Sequence, residues 1–357
     1  MVVIEVRLPV KCNCVNKKRI ILGIALLAVI AIAITGCSVY LRIFGKNVVR
    51  TGDLYVKTGE AFEVSMRSLD TFLEHRNDFL WVAEVKKIRA LKPGKYRLLE
   101  GMSNNELVNL LRSGQQIPVK VSFNNQHTLQ DLAGKVAHQI EADSSALVTV
   151  FKDSIFLSQK GINQAQMLGY FIPNTYEFFW NTSAEQFRDR MVKESDRFWN
   201  ENRLKKAKVL QMTPHQVMAL ASIVHKETTK DSEHPRVAGL YINRIRRGIP
   251  LQADPTIIYI LKQIHGWDFT VRRVLKKDLK ITSPYNTYLN RGLPPSVIAM
   301  PDISAIDAVL NYERHNYLYM CADINNLGYH AFASTLKQHN RNAQKYQRWL
   351  NKQGIKR

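Results

Sequence analysis

The run MTPHQVMALASIVHKETTK at 212–230 holds the residues best placed to do chemistry. Thr213 suits an N-cap, Pro214 the first helical position and Gln216 the reciprocal arm of a capping box, so a helix begins here. Val217, Leu220 and Val224 recur at steps of three and four, and Glu227 is the next member of that stripe. A carboxyl that ends an apolar seam is partly desolvated, so its pKa rises and it holds a proton near neutrality, as a general acid must. The same pattern also fits a Glu that leans into solvent or pairs with a neighbouring lysine. His225 points about 200° away round the helix from Glu227, which makes the two poor partners. Their H-x-E lacks the P-C-x-x-C of a zinc deaminase. No H-E-x-x-H, phosphate-binding loop or G-x-S-x-G elbow occurs.

Two further segments carry polar groups on stiff backbone. RRGIPLQADPTIIYIL places Gln252 and Asp254 just before Pro255, which disfavours helix at Asp254, so a rigid loop is expected there. SPYNTYLNRGLPPSVIAMP sets Tyr285, Asn286 and Thr287 ahead of a Gly-Leu-Pro-Pro turn. Such loops orient substrates, and Asx turns that only brace backbone look the same. The aromatic cluster GYFIPNTYEFFWNTS suits a sugar-stacking wall or a plain core.

The elements that would position these groups begin with a membrane segment. Ile20 to Leu41 has no charged residue and, as a helix, spans the roughly 30 Å hydrocarbon layer of a bilayer. Arg7, Lys11, Lys17, Lys18 and Arg19 precede it against the single Glu5, so residues 1–19 form a basic cytoplasmic tail and the remainder is sent across. A lipoprotein-like box at Ile34 to Cys37 is the rival reading, although the apolar run outlasts a signal peptide. Only Cys321 lies beyond the span, so the outer body has no internal disulfide; Cys12 and Cys14 read as ordinary cytosolic thiols.

The 357 residues carry a formal +21, about +17 of it beyond the span, which suits anionic lipid or wall polymer and argues against nucleic acid. After the span, VVRTGDLYVKTG and AFEVSM alternate as strands, and SLDTFLEHRNDFLWVAEV has helical spacing. The next stretch, from Lys92, reads strand, turn, helix, strand, with Ser103 and Glu106 as capping box and Gly114 as helix stop. A small α+β module over 42–125 and a larger mixed domain over 126–357 follow, with a soft boundary near 125.

Taken together, FIPNTYEF at 171–178, ASIVHKET at 221–228, INRIRRGIPLQADPT at 242–256, SPYNTYLNRGLPP at 283–295 and the spacing of Gly328, His330, Phe332, His339 and Asn340 resemble the MltG-type, YceG-like endolytic murein transglycosylases. The resemblance implies an α+β protein with one N-terminal transmembrane helix, a small LysM-like module and a YceG-like catalytic domain. It implies a lyase of the inner (cytoplasmic) membrane, body on the periplasmic side. Such a lyase cuts the MurNAc–GlcNAc β-1,4 bond of nascent peptidoglycan strands to leave 1,6-anhydro ends, terminates strand elongation and works beside peptidoglycan synthases. Glu227 takes the family's catalytic position, Gln252, Asp254, Tyr285 and Asn286 become cleft residues, and no metal or other cofactor is implied. His225 and Asn174 stand where the family usually has acids. Two other classes fit the same residues: a wall-binding anchor with a silent cleft, and a true muramidase in which Asp254 activates water.

Overall fold

The computed structural model describes residues 17–353. Most of the basic tail, with Arg7, Lys11, Cys12 and Cys14, lies outside the described residues. The chain divides into two compact units, with the break between Ile117 and Pro118.

The first unit opens with α1 (Lys17–Phe44), a 28-residue helix with no buried residue, long and apolar enough to cross a membrane. Then come β1 (Gly52–Val56), α2 (Phe62–Asp70), α3 (Arg76–Val85), β2 (Gly94–Leu98) and α4 (Asn104–Ser113). β1 and β2 pair antiparallel, Gly52 opposite Leu98, and their inward Leu54, Val56, Tyr96 and Leu98 meet Leu69, Phe79 and Leu107 from the helices. The capping box of Ser103 and Glu106 starts α4, and Gly114 ends it at φ 75°. AFEVSM, expected as a strand, instead enters α2. Ser65, Met66 and Leu69 turn inward at helical spacing, and six alternating residues are too few to separate the two periods.

The second unit begins with β3 (Pro118–Phe123), which pairs antiparallel with the distant β4 (Asn174–Phe179). That pairing assigns 118–123 to this unit, ahead of the soft boundary at 125. Between these strands lie four short helices, α5 (Leu129–Ala137), α6 (Ser144–Phe151), α7 (Ser154–Gln159) and α8 (Gln164–Met167). The remaining helices are α9 (Ala184–Phe198), α10 (Glu201–Val209), α11 (Pro214–Glu227), α12 (His234–Arg246), α13 (Asp254–His265), α14 (Ile303–Leu310) and α15 (Leu336–Lys352). A hairpin of β5 (Tyr319–Ala322) and β6 (His330–Ala333) precedes α15 and packs on it.

α11 organises this unit. It starts at the Thr213–Gln216 capping box with Pro214 in the first turn, and α10, α12, α13 and α14 all pack on it. Every residue from Val217 to Val224 is buried, so the helix is wrapped on all sides instead of burying a single stripe. Its interior alanines and Ser222 bring neighbours close on the faces the stripe leaves out; the Ser222 hydroxyl accepts from the Ile298 backbone N–H at 3.1 Å. The chain stops being helical at Thr228, which is extended, so Glu227 sits at the last helical position.

Thr213→Ala removes the side chain that accepts from the Gln216 N–H and costs about 1 kcal/mol. Calorimetry is expected to show the melting transition of the second unit lowered by about 2–4 °C.

Candidate active site

Glu227 opens onto a cavity of about 250 Å³ shared with Tyr241, Arg244, Gln252, Asp254 and Tyr288. Leu318, Tyr319 and Met320 from β5 and its approach, and His339 from α15, close the other side. α11 brings Glu227 to the wall, α12 presents Tyr241 and Arg244 at a spacing of three, and the loop into α13 delivers Gln252 and Asp254.

The carboxyl of Glu227 keeps partial contact with solvent as a residue, while Oε2 is sealed and has no hydrogen-bond partner. The buried hydroxyl of Tyr241 donates to this carboxyl. Burial raises the Glu227 pKa to about 7; the charge of His330 pulls it down, and those of Asp254 and Glu233 push it up. His330, on β6, is tied to Glu233 at both ends: its backbone N–H donates to Oε1 at 2.7 Å and its Nδ1 lies 2.8 Å from Oε2. Burial works against charge on both partners. Their mutual contact wins, holding Glu233 below and His330 above their ordinary values as an ion pair.

Arg244 is buried, and each of its three side-chain nitrogens donates. Nε donates to the Pro250 carbonyl at 2.9 Å, Nη1 to the Leu318 carbonyl at 2.7 Å and Nη2 to Oε1 of Gln252 at 2.6 Å. Because arginine only donates, the Gln252 oxygen faces Arg244 and its NH₂ is turned outward. Gln252 has φ 52°, a costly conformation for a residue with a Cβ, and its backbone N–H is anchored on the Thr287 carbonyl at 3.0 Å. Asp254 departs from the expected rigid loop: it is the first residue of α13, with Pro255 accommodated in the opening turn, where its missing N–H costs nothing. Its Oδ1 accepts from the Tyr288 hydroxyl.

Glu227, Gln252 and Asp254 therefore share one cavity, whereas Tyr285 and Asn286 do not line it. The Tyr285 hydroxyl is paired with Ser296 Oγ at 2.7 Å, and its ring packs on Tyr259. Asn286 is wholly buried. Its Nδ2 donates to the carbonyls of Leu279 (3.0 Å) and Ile281 (2.7 Å), and its Oδ1 accepts from the Tyr288 N–H (2.9 Å). These are the bracing contacts of a scaffold loop, and through Tyr288 and Thr287 that loop fixes Asp254 and the backbone around Gln252. His225 turns to Asp302, 3.3 Å from Nδ1 to Oδ2, and Asn174 lies exposed at the start of β4. The i, i+3 pair Tyr241 and Arg244 was readable as one helix face inside the 242–256 block and its leading residue. Glu233 had no local signal, because its partner His330 is far along the chain.

The comparisons with known proteins agree with this architecture. The model of the YceG-like family matches residues 54–345, and the chain belongs to that family. Among its relatives, the endolytic murein transglycosylase of Bacillus subtilis (strain 168) is 29% identical over 287 residues, covering 75% of this chain and 76% of that protein. The endolytic murein transglycosylase of Streptococcus pneumoniae serotype 2 is 27% identical over 321 residues. That alignment takes in 81% of this chain but only 58% of that longer protein. A crystal structure of a yceG-like protein from Listeria monocytogenes superimposes with a TM-score of 0.55 at 27% identity, over 82% of this chain and 98% of that one.

Asn286→Ala would leave two part-buried carbonyls and the Tyr288 N–H without their partner. A loss of about 2–4 kcal/mol is expected, read as a calorimetric midpoint several degrees lower. An unchanged midpoint would contradict the scaffold role.

Proposed function

We propose that this protein is a membrane-anchored endolytic murein transglycosylase with Glu227 as its single acid–base group. The observation that carries this reading is a carboxyl with one sealed oxygen, a Tyr241 hydroxyl on it and a pKa near 7, standing in a cavity at the position that the family motif assigns to the catalytic acid. In the proposed reaction protonated Glu227 donates to the oxygen leaving from N-acetylmuramic acid, and the bond from C1 to that oxygen breaks. The carboxylate so formed takes the proton from the sugar's own C6 hydroxyl, whose oxygen bonds to C1. The proton returns to Glu227, no water is consumed, and a 1,6-anhydro end results.

Asp254, held by Tyr288, supplies negative charge toward the developing positive centre, and the outward NH₂ of Gln252 offers a donor to the sugar. Tyr285 and Asn286, whose polar groups are already engaged within the fold, act through that scaffold. The α1 helix is the anchor in this reading. Lys17, Lys18 and Arg19 at its start keep that end cytoplasmic and put the body on the outer, periplasmic side of the inner membrane. The first unit acts as a LysM-like wall-binding module and the second as the catalytic domain; cutting nascent strands there would end their elongation beside the synthases that make them.

Glu227→Gln is expected to lower release of anhydro-muropeptides from purified glycan strands by about 10²–10⁴-fold, measured by mass spectrometry. Retained cleavage, or reducing ends in the wild-type digest, would sink the proposal. Because the protonated form starts the reaction, kcat/KM should hold below pH 7 and fall as pH rises through about 7.

The stability consequence has a definite sign. A carboxyl whose folded pKa lies above its unfolded value loses stability as pH rises from about 4.5 to about 7, since the unfolded chain sheds that proton first. Glu227→Gln abolishes this loss and should be more stable than wild type above pH 7, by roughly 1–3 kcal/mol, in denaturant titrations at pH 5 and pH 8.

A further inference from the structure

A second cavity, of about 150 Å³, lies on the other side of the same two helix ends. Lys226 and Pro255 line it, whereas their chain neighbours Glu227 and Asp254 line the first. Successive residues on a helix point about 100° apart, so the end of α11 and the start of α13 form a partition between the two cavities. The remaining walls are Lys262, His127, Ile258, Tyr259, Trp267 and Ile298.

Its chemistry is one-sided. Two lysines face it and no carboxylate does. Among the described residues, Lys226 Nζ and the His127 ring have no hydrogen-bond or ion-pair partner, and Lys262 Nζ reaches only the Trp267 carbonyl at 3.2 Å. The acids that act on them, Asp302 on Lys226 and Asp131 on His127, do so through charge alone. Burial and then the like charge of Lys262 hold the Lys226 pKa below its ordinary value. Burial, followed by Lys226 and Lys262, pushes His127 down to about 4, so the ring is neutral at pH 7. Half-buried, unpaired cations are costly to keep unless an anion meets them. The indole of Trp267, which faces the His127 ring at 6.0 Å, and the side chains of Ile258 and Ile298 give the anion's carrier an apolar seat.

We propose that this cavity is a subsite for a carboxylate borne on a short apolar chain, and that it receives the peptide branch of the strand whose sugar lies against Glu227. The second half of that statement rests on the function proposed above; the first does not. Bound there, the branch would fix which sugar is presented to Glu227, the chain neighbour of Lys226.

The test uses the full chain in detergent micelles with 5-fluorotryptophan in place of tryptophan, the Trp267 signal being assigned with Trp267→Phe. N-acetyl-D-alanine is expected to shift that signal saturably, and the uncharged N-acetyl-D-alaninamide to leave it in place. Lys226→Met should weaken the response at least about tenfold and Lys226→Arg should keep most of it. Lys262→Gln provides a second variant if Lys226→Met fails to fold. No response, or an equal response to the amide, overturns the subsite whatever Glu227 does, since no turnover is needed.

A kinetic arm compares peptide-bearing with peptide-stripped strands. Lys226→Met should raise KM about tenfold more on the former, and an equal rise on both overturns the assignment to the branch.

Discussion

A carboxyl group sealed from water on one oxygen must either find donors or keep its proton, and the second unit is arranged so that Glu227 does some of each. Tyr241 donates to it, His330 stands near with its charge already committed to Glu233, and Asp254, which lines the same cavity, adds a like charge. These influences oppose one another, so burial is left to decide the outcome and the group titrates near neutrality. Each contributor comes from a different element: α11, α12, the residues just before α12, β6 and the start of α13.

The wrapping of α11 explains how that balance is maintained. A helix buried on every side cannot rotate or slide without opening voids, so its last residue is held in register with the walls around it. The same rigidity reaches Asp254 by another route. Asn286 braces a loop through backbone carbonyls, Tyr288 leaves that loop to hold the Asp254 carboxylate, and Thr287 pins the strained backbone at Gln252. Residues that never line the cavity thus set the geometry of those that do, a relation that the outward likeness of orienting loops and bracing loops conceals.

The partition formed by the ends of α11 and α13 carries two chemistries on its two sides. Two carboxyls, with Arg244 and several hydroxyls, face one cavity, and two lysines with an indole and no carboxylate face the other. In the proposed reading, a branched, charged polymer is positioned at one bond by both kinds of contact, which gives the strongly basic body a local meaning.

Much of this was legible along the chain. The apolar span, the capping boxes at Ser103 and Thr213, the helix ending in Glu227 and the mixed α+β character follow from local spacing and capping, because those interactions join residues within a turn of each other. The five motif blocks carried the family. Local pattern failed where two periods fit a short run, as at AFEVSM, and where Pro255 was as compatible with opening a helix as with preventing one. It could not separate Gln252 and Asp254, which line the cavity, from Tyr285 and Asn286, which brace it, since both pairs are polar groups on stiff backbone. Nor could it join His330 to Glu233, or set Lys226 and Glu227 on opposite sides of one wall. Those relations are made by packing between elements distant in sequence, and the burial that sets a proton affinity near 7 exists only once the elements have closed round Glu227.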